Sequence, residues 1–276
     1  MASSGGGTLS VDALALPPHA SRGFLLRTQI RHEAQMKYVG SVAGIYWAIV
    51  NPLIQVGAMV FIATVIFDAR ISATEGGRID YAVFVLSGLA VWLSMQEGLM
   101  SAAGSLIRHS DIVRNVVFPL DLLPVAAIVV SLLSLAIGLA SLIVLSVFSG
   151  HLLGASIVAL PVVLAVQLVL TFGLGLAFAV LTLFVRDLLF LLPMLFQMFT
   201  LLTPIAYSIE DMPSELQTLT RLNPLYHVIA SYRTIFFEGA WPSWAGLLYA
   251  AVVSGLVLVA GVWIFRRLKG YAEALV

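Results

Sequence analysis

The stretch Leu181–Phe190 reads LTLFVRDLLF, an arginine and an aspartate side by side within apolar sequence. Upstream, no Asp, Glu, Lys or Arg occurs back to Asp121, and downstream none occurs before Glu210. Two readings compete. Arg186–Asp187 is either a charge pair held in mid-bilayer, as in an ion relay, or a turn between two membrane-crossing helices. The choice sets the number of crossings, and with it the fold.

Composition supplies the frame. Of 276 residues, 61% are hydrophobic and 10% charged, with a mean hydropathy of +1.04. Soluble domains carry about 25% charged residues, so this chain lacks the polar surface to cover a water-facing globule and reads as an integral membrane protein. Its long uncharged runs point to helices, since a transmembrane barrel shows ~10-residue alternating segments. The formal net charge is zero and no basic cluster suggests nucleic acid. The absence of cysteine excludes disulfides, Cys-ligated metals and iron–sulfur clusters; no metal site is expected. Residues 1–21 are rich in Ser, Gly and Pro and lack the basic start and apolar core of a cleaved signal, so they read as a flexible cytoplasmic tail.

A helix needs ~20 apolar residues to cross ~30 Å of hydrocarbon. Six segments qualify, at about 42–67, 81–100, 121–148, 155–185, 188–208 and 244–265, the fourth long enough to tilt or to bend near Gly173 and Gly175. With the N-terminus inside, the inner segments hold ten of the fourteen Lys and Arg residues and the outer segments four (Arg70, Arg78, Arg221 and Arg233), whereas the acids divide evenly. Positive residues favour the cytoplasmic side, so both termini are placed there. Arg186–Asp187 then falls in the cytoplasmic turn between spans four and five. A pair at mid-bilayer would cost several kcal/mol, and no other ionisable residue in spans three to six could continue a relay.

Three segments do more than cross. Arg22–Tyr38 (RGFLLRTQIRHEAQMKY) mixes Arg27, Arg31 and Lys37 with apolar residues, which suits a helix lying in the inner headgroup region; ordinary positive-inside flanking charge is the plainer reading. Between spans two and three, small residues precede Arg108-His109-Ser110-Asp111, and Ser110 is placed to cap a short helix through Arg114. Such a charged cytoplasmic helix can receive a soluble partner, or the segment is a plain solvated loop. Glu97 falls near the inner edge of the hydrocarbon in span two, where a carboxylate faces a lumen. On the outer side, Asn223 followed by Pro224 predicts a helix start. Leu225, Val228, Ile229, Tyr232, Ile235 and Phe236 repeat at helical spacing, and Gly239 can end the helix. Pro213 can open a shorter helix before it, so two short helices dipping back toward the membrane are expected, covered by protein or lining a cavity.

Catalytic patterns are missing. Lys37 and Lys269 are the only lysines and neither sits in a phosphate-binding loop, so ATP is not hydrolysed by that route. Gly173-Leu174-Gly175 lies within an apolar span and reads as close helix packing rather than a dinucleotide signature. Tyr46, Trp47, Trp92, Tyr207, Trp244 and Trp263 lie near span ends; an interfacial belt explains them, although aromatic faces also stack on sugars.

The ordered set KYVGSVAGIYWAIVNPLIQV (Lys37–Val56), VVFPLDLLPVA (Val116–Ala126), FVRDLLFLLPMLFQMFTLLTPIAYSIEDMP (Phe184–Pro213) and LNPLYHVIASYR (Leu222–Arg233) resembles the membrane subunit of type-2 ABC polysaccharide exporters, the Wzm-like O-antigen, capsule and teichoic acid permeases. The likeness extends over residues 22–270, one transmembrane domain followed by a cytoplasmic end at 271–276. It implies an all-α homodimer of six-span protomers in a bacterial inner membrane. Each protomer would pair with a separate cytoplasmic ATPase, two copies in all, that binds ATP and Mg while this chain holds no cofactor. It also implies an interface helix at Arg22–Tyr38, a coupling segment at Glu97–Asn115 including Arg108, His109, Asp111 and Arg114, and re-entrant outer helices at Pro213–Glu238. The cargo implied is a lipid-linked glycan, commonly on a diphosphate carrier, which Arg27, Arg31 and Lys37 would meet at the inner leaflet. Tyr46, Trp47, Asn51, Trp92 and Tyr207 would line the glycan channel, with Asn51 standing where an aromatic is frequent. The rivals are a type-2 ABC permease for a drug, lipid or small molecule, a secondary transporter or channel, and a membrane enzyme built around His109 and Asp111.

Overall fold

The computed structural model describes residues 21–38, 46, 50, 54, 57, 58, 61, 78–109, 118–150 and 154–275. Among them the chain is helical. Helix α1 is Arg22–Tyr38, α2 Arg78–Arg108, α3 Leu122–Phe148, α4 Leu160–Phe184, α5 Leu188–Leu202, α6 Ser214–Arg221, α7 Pro224–Arg233 and α8 Trp244–Leu275. A 3-10 turn at Ala155–Ala159 leads into α4, and a π-helical turn, Thr234–Glu238, extends α7.

Among the described residues four helices are long and apolar enough to cross a membrane, corresponding to α2, α3, α4 and α8, with α5 a shorter apolar helix. The protein is therefore a multi-pass membrane protein. Most of the expected first span lies outside the described residues. Of it, Tyr46, Val50, Ile54 and Phe61 are helical and exposed, spaced as one face of a helix.

Helix α2 is the hub. It packs on α3, α4, α5 and α7, and its side chains are enclosed nearly all round: Val83, Val85, Leu86, Val91, Trp92 and Leu99 are buried. The sequence placed the end of this span at Met100; the helix instead continues two turns to Arg108. The reason lies in the small residues that read as a connection. Ala102, Ala103 and Ser105 are buried, and the Ala103 carbonyl accepts the Thr182 hydroxyl of α4 at 2.5 Å. Small side chains there admit α4 closely, which requires α2 to remain helical.

The Arg186–Asp187 question is answered by the backbone. Helix α4 ends at Phe184, the exposed pair forms a turn, and α5 begins at Leu188, its first bonds running from the N–H groups of Phe190 and Leu191 to the Asp187 carbonyl. No charge pair sits within a span here.

Helix α4 continues through Gly173 and Gly175 without interruption, so the glycines serve packing and no break occurs. A β-carbon on Gly173 would meet the Leu258 backbone of α8 at 2.7 Å, and one on Gly175 would meet Ile128 of α3 at 2.6 Å. The two positions let α4 approach neighbours on both sides, and the α4–α8 contact is the most extensive among the described helices. Leu106, Leu123, Ala179, Val180 and Phe265 close the packing at the end of the bundle that carries Arg108. Trp244 and Trp263 of α8 both point outward.

Helix α5 departs from the expected span at 188–208. It stops at Leu202, after 15 residues, about 22 Å of rise. Its Phe190, Met194, Met198 and Leu201 form an exposed stripe, and only Leu192 and Phe196 are buried.

Candidate functional site

Two polar constructions stand out against this apolar frame, one at each end of the bundle. The first joins α1 to α2. The sequence predicts a helix at Arg22–Tyr38 and the structure has one with those bounds, but its inward stripe is Leu25, Gln29 and Glu33, with Phe24 and Met36 exposed. Its backbone packs on α3, while its polar side chains reach across to α2.

His109 organises the contact. Its Nδ1 lies 2.9 Å from the Ser105 carbonyl, an acceptor only, so Nδ1 carries the proton. Nε2 then accepts from the Gln29 amide at 3.2 Å. In that tautomer Glu33 Oε1, 3.6 Å from Nε2, faces a lone pair and is buried without a hydrogen-bond donor. Its other oxygen lies 3.9 Å from Arg108. Arg108 folds back along its own helix, Nη2 donating to the Ser101 carbonyl at 2.8 Å, and passes over Gly104, where a β-carbon would stand 2.6 Å from Nη1.

One turn further along α1, Lys37 pairs with Glu97 of α2 and donates to the Ser134 hydroxyl of α3 at 3.2 Å. Because Lys37 meets Glu97 while Gln29 and Glu33 meet Arg108 and His109, α1 runs antiparallel to the last three turns of α2. The sequence assigned Lys37 and Glu97 to different sites; the structure makes them one. Gln29, Glu33 and Ser134 were not anticipated. The signal available was the polar i, i+4 stripe Gln29–Glu33–Lys37, uncommon on a helix whose inward face should be apolar.

The second construction holds α7. Asn223 Oδ1 accepts the Leu225 N–H at 3.0 Å, Pro224 takes the first helical position, and Gly239 adopts φ 65° after the π-turn. All six residues that repeat at helical spacing are buried. Tyr232, fully enclosed, donates to Gln167 Oε1 of α4 at 2.8 Å. Arg233 lies 3.5 Å over the Phe84 ring and donates to the carbonyls of Pro204 and Ile205, at 3.1 and 2.8 Å, just beyond α5. Burial pushes this guanidinium down to about 10, which leaves it charged at neutral pH. Helix α6 lays Leu216 and Leu219 across a groove from Phe199 and Leu202 of α5.

The remaining predicted residues are dispersed. Arg27 and Arg31 are exposed on α1, and Tyr46 is exposed. Tyr207 is half-buried and bonds the Leu201 carbonyl. Trp92 is only 2% exposed, donating to Thr200 Oγ1 at 2.6 Å and meeting the Phe196 ring edge-on. Trp47, Asn51, Asp111 and Arg114 lie outside the described residues.

Residues 26–237 match the family described as ABC-2 type transporter, well over half of the chain. The chain belongs to the ABC-2 transporter family. This ABC-2 chain is similar to the O-antigen export system permease protein RfbA of Myxococcus xanthus, with 27% identity over 257 residues, covering 92% of the chain and 96% of that protein. It is also similar to two O-antigen export system permease proteins RfbA of Klebsiella pneumoniae, at 27% and 26% identity over 247 residues, 88% of the chain and 92% of each relative. The ABC-2 assignment bears out the resemblance read from the four sequence stretches, all of which lie inside the matched region.

Proposed function

We propose that this chain is the permease subunit of an ATP-driven exporter that moves a lipid-linked, O-antigen-like polysaccharide across the bacterial inner membrane. The observation that carries the reading is the near end-to-end similarity to permeases named for O-antigen export. In this reading the protomer has six crossings with both termini cytoplasmic. The Arg108 end of the bundle, which also holds the Arg186–Asp187 turn, faces the cytosol, and α6 and α7 form re-entrant helices on the outer side. The surplus of cations in the inner segments supports that orientation.

Two such protomers pair with two copies of a cytoplasmic ATPase that binds ATP and Mg. Closure of the ATPases pushes on the Arg108–Arg114 segment. Arg108 and His109 touch Glu33 and Gln29, so the push is passed to α1 and from its end at Tyr38 into the first span, parting the protomers along it. Arg27 and Arg31 meet the anionic carrier at the inner leaflet. Tyr46, Trp47, Asn51 and Tyr207 offer weak, repeated contacts to a sliding glycan, while the enclosed Trp92 packs on Phe196 of α5.

Depletion of the chain should remove surface glycan, and a Walker-motif ATPase should co-purify with it in detergent. Drug sensitivity with intact surface glycan would instead identify a small-molecule permease, and transport by the purified chain alone would exclude an ABC mechanism.

A further inference from the structure

The Lys37–Glu97 pair has features that a structural ion pair does not need. Glu97 is the one acid of α2 apart from Asp80, seventeen residues before it. A carboxylate on an apolar spanning helix is retained for a reason, and its partner usually states it. Here the partner comes from the last turn of α1, sixty residues distant in sequence, and the Ser134 hydroxyl arrives from α3. Three helices thus bring an ammonium, a hydroxyl and a carboxylate to one point.

The point is open. The Lys37 and Glu97 side chains are 30% and 34% exposed, and a pair so accessible contributes little net stability and exchanges readily. An ammonium beside a hydroxyl is also a phosphate-binding combination, since both can donate to its oxygens. Among the described residues, Glu97 is the acid paired with the ammonium. Arg27 and Arg31, exposed on the same helix, supply attraction for an anionic headgroup approaching from the membrane surface.

We propose that Glu97 is an internal stand-in for the phosphate of the cargo lipid: it occupies Lys37 in the resting chain and yields it to an arriving lipid diphosphate. The inference rests on the export reading above and adds a step to it. When the headgroup takes Lys37 and Ser134, α1 loses its clasp at the end that adjoins the first span. Its contacts with Arg108 and His109 remain. Cargo arrival then frees the lever at one end while the ATPase-facing end stays engaged.

The chain has no cysteine, so labels are unambiguous. Spin labels at Gln35→Cys on α1 and Leu133→Cys on α3, in the full chain in phosphatidylcholine nanodiscs with its co-purified ATPase, report the separation of the two helices. The titrants are undecaprenyl diphosphate, undecaprenol and inorganic pyrophosphate. Undecaprenyl diphosphate should move α1 away from α3, and undecaprenol should not. Pyrophosphate should bind at least tenfold more weakly than the lipid. Glu97→Gln should bind the lipid diphosphate about tenfold more tightly and show the displaced distance without ligand; Lys37→Gln should lose at least tenfold, and Lys37→Arg should retain binding.

An unchanged affinity and distance in Glu97→Gln overturns the proposal. If that variant does not fold, an unmoved α1 in the otherwise native chain at saturating undecaprenyl diphosphate overturns it equally. Pyrophosphate binding as tight as the lipid does so too, since the site would then serve free phosphate. Loss of surface glycan on depletion together with an unresponsive Glu97 variant leaves the export reading standing and removes only this step. Tightened binding in the variant with undiminished surface glycan does the reverse.

Discussion

A β-carbon placed on Gly261 of α8 would stand 2.0 Å from the carbonyl oxygen of Gly173 on α4. No side chain can occupy that gap, so the two longest-packed helices of the bundle touch backbone to backbone. Gly261→Ala should therefore force α4 and α8 apart and lower stability by about 1–3 kcal/mol, the usual penalty of overpacking. Gly255→Ala, where a β-carbon meets nothing within 4 Å, should leave the unfolding midpoint in detergent unchanged or slightly raised, since alanine favours the helix over glycine. Equal midpoints for the two variants would refute the close-contact account.

Tyr232 and Gln167 are each other's hydrogen-bond partner inside the bundle. Tyr232→Phe leaves the buried Gln167 oxygen unpaired, at a penalty of about 1–3 kcal/mol. Removing both partners with Gln167→Leu in addition should restore part of that loss. A double-mutant cycle on denaturant unfolding measures the coupling, and strict additivity would mean that the bond contributes nothing.

At the start of α7, Asn223→Ala removes the cap on the Leu225 N–H and should lower stability by roughly 1 kcal/mol. Gly239→Val places a branched side chain at φ 65°, a region that L-residues other than Gly and Asn avoid, and should be worse. Hydrogen exchange of the Tyr226–Ser231 amides gives the readout. Faster exchange confined to α7 is expected, whereas unaltered exchange would show that tertiary burial alone holds the helix.

Helix α7 was legible in the sequence because everything that specifies it is local: Asn-Pro at the start, six apolar residues at helical spacing, glycine at the end. The turn at Arg186–Asp187 was legible for a similar reason, since two adjacent charges in a long apolar run leave one inexpensive arrangement. The extension of α2 to Arg108 was not. Ala, Ser and Gly between Ser101 and Ser105 suit a helix or a loop equally, and what decides is the approach of Thr182 on α4, 79 residues away. The inward polar stripe of α1 was hidden in the same manner, because Gln29, Glu33 and Lys37 find their partners sixty to a hundred residues on. Where α5 stops was equally out of reach, as the carbonyls of Pro204 and Ile205 just beyond it are satisfied by Arg233, about thirty residues later.

In the proposed assembly Arg108 and His109 pass force to α1. Arg108→Glu combined with Arg114→Glu should abolish the permease's stimulation of ATP hydrolysis by its partner while the complex still co-purifies. Gln29→Ala with Glu33→Ala should instead preserve stimulation and reduce export at least several-fold, because the ATPase is engaged but the lever is disconnected. Stimulation and surface glycan at native levels in both double variants would remove the coupling role.

The six-crossing arrangement has its own check. Single cysteines replacing Asp187 and Glu210, both exposed, should react with a membrane-impermeant maleimide from opposite sides, Asp187→Cys only after the membrane is opened. Labelling of both from the same side would require a different threading.

In the proposed six-crossing arrangement, helix α5 is a wall built too low for the bilayer it stands in. About 22 Å of helix is several ångströms short of the ~30 Å hydrocarbon, and just past its end the buried Pro204 and Ile205 turn their carbonyls to the guanidinium of Arg233. The chain has thus carried its own patch of interfacial polarity inward. In the proposed export assembly the nonpolar barrier along α5 is thinned by the protein itself, and a hydrated cargo beside it would face a shorter dry passage than the surrounding lipid would impose.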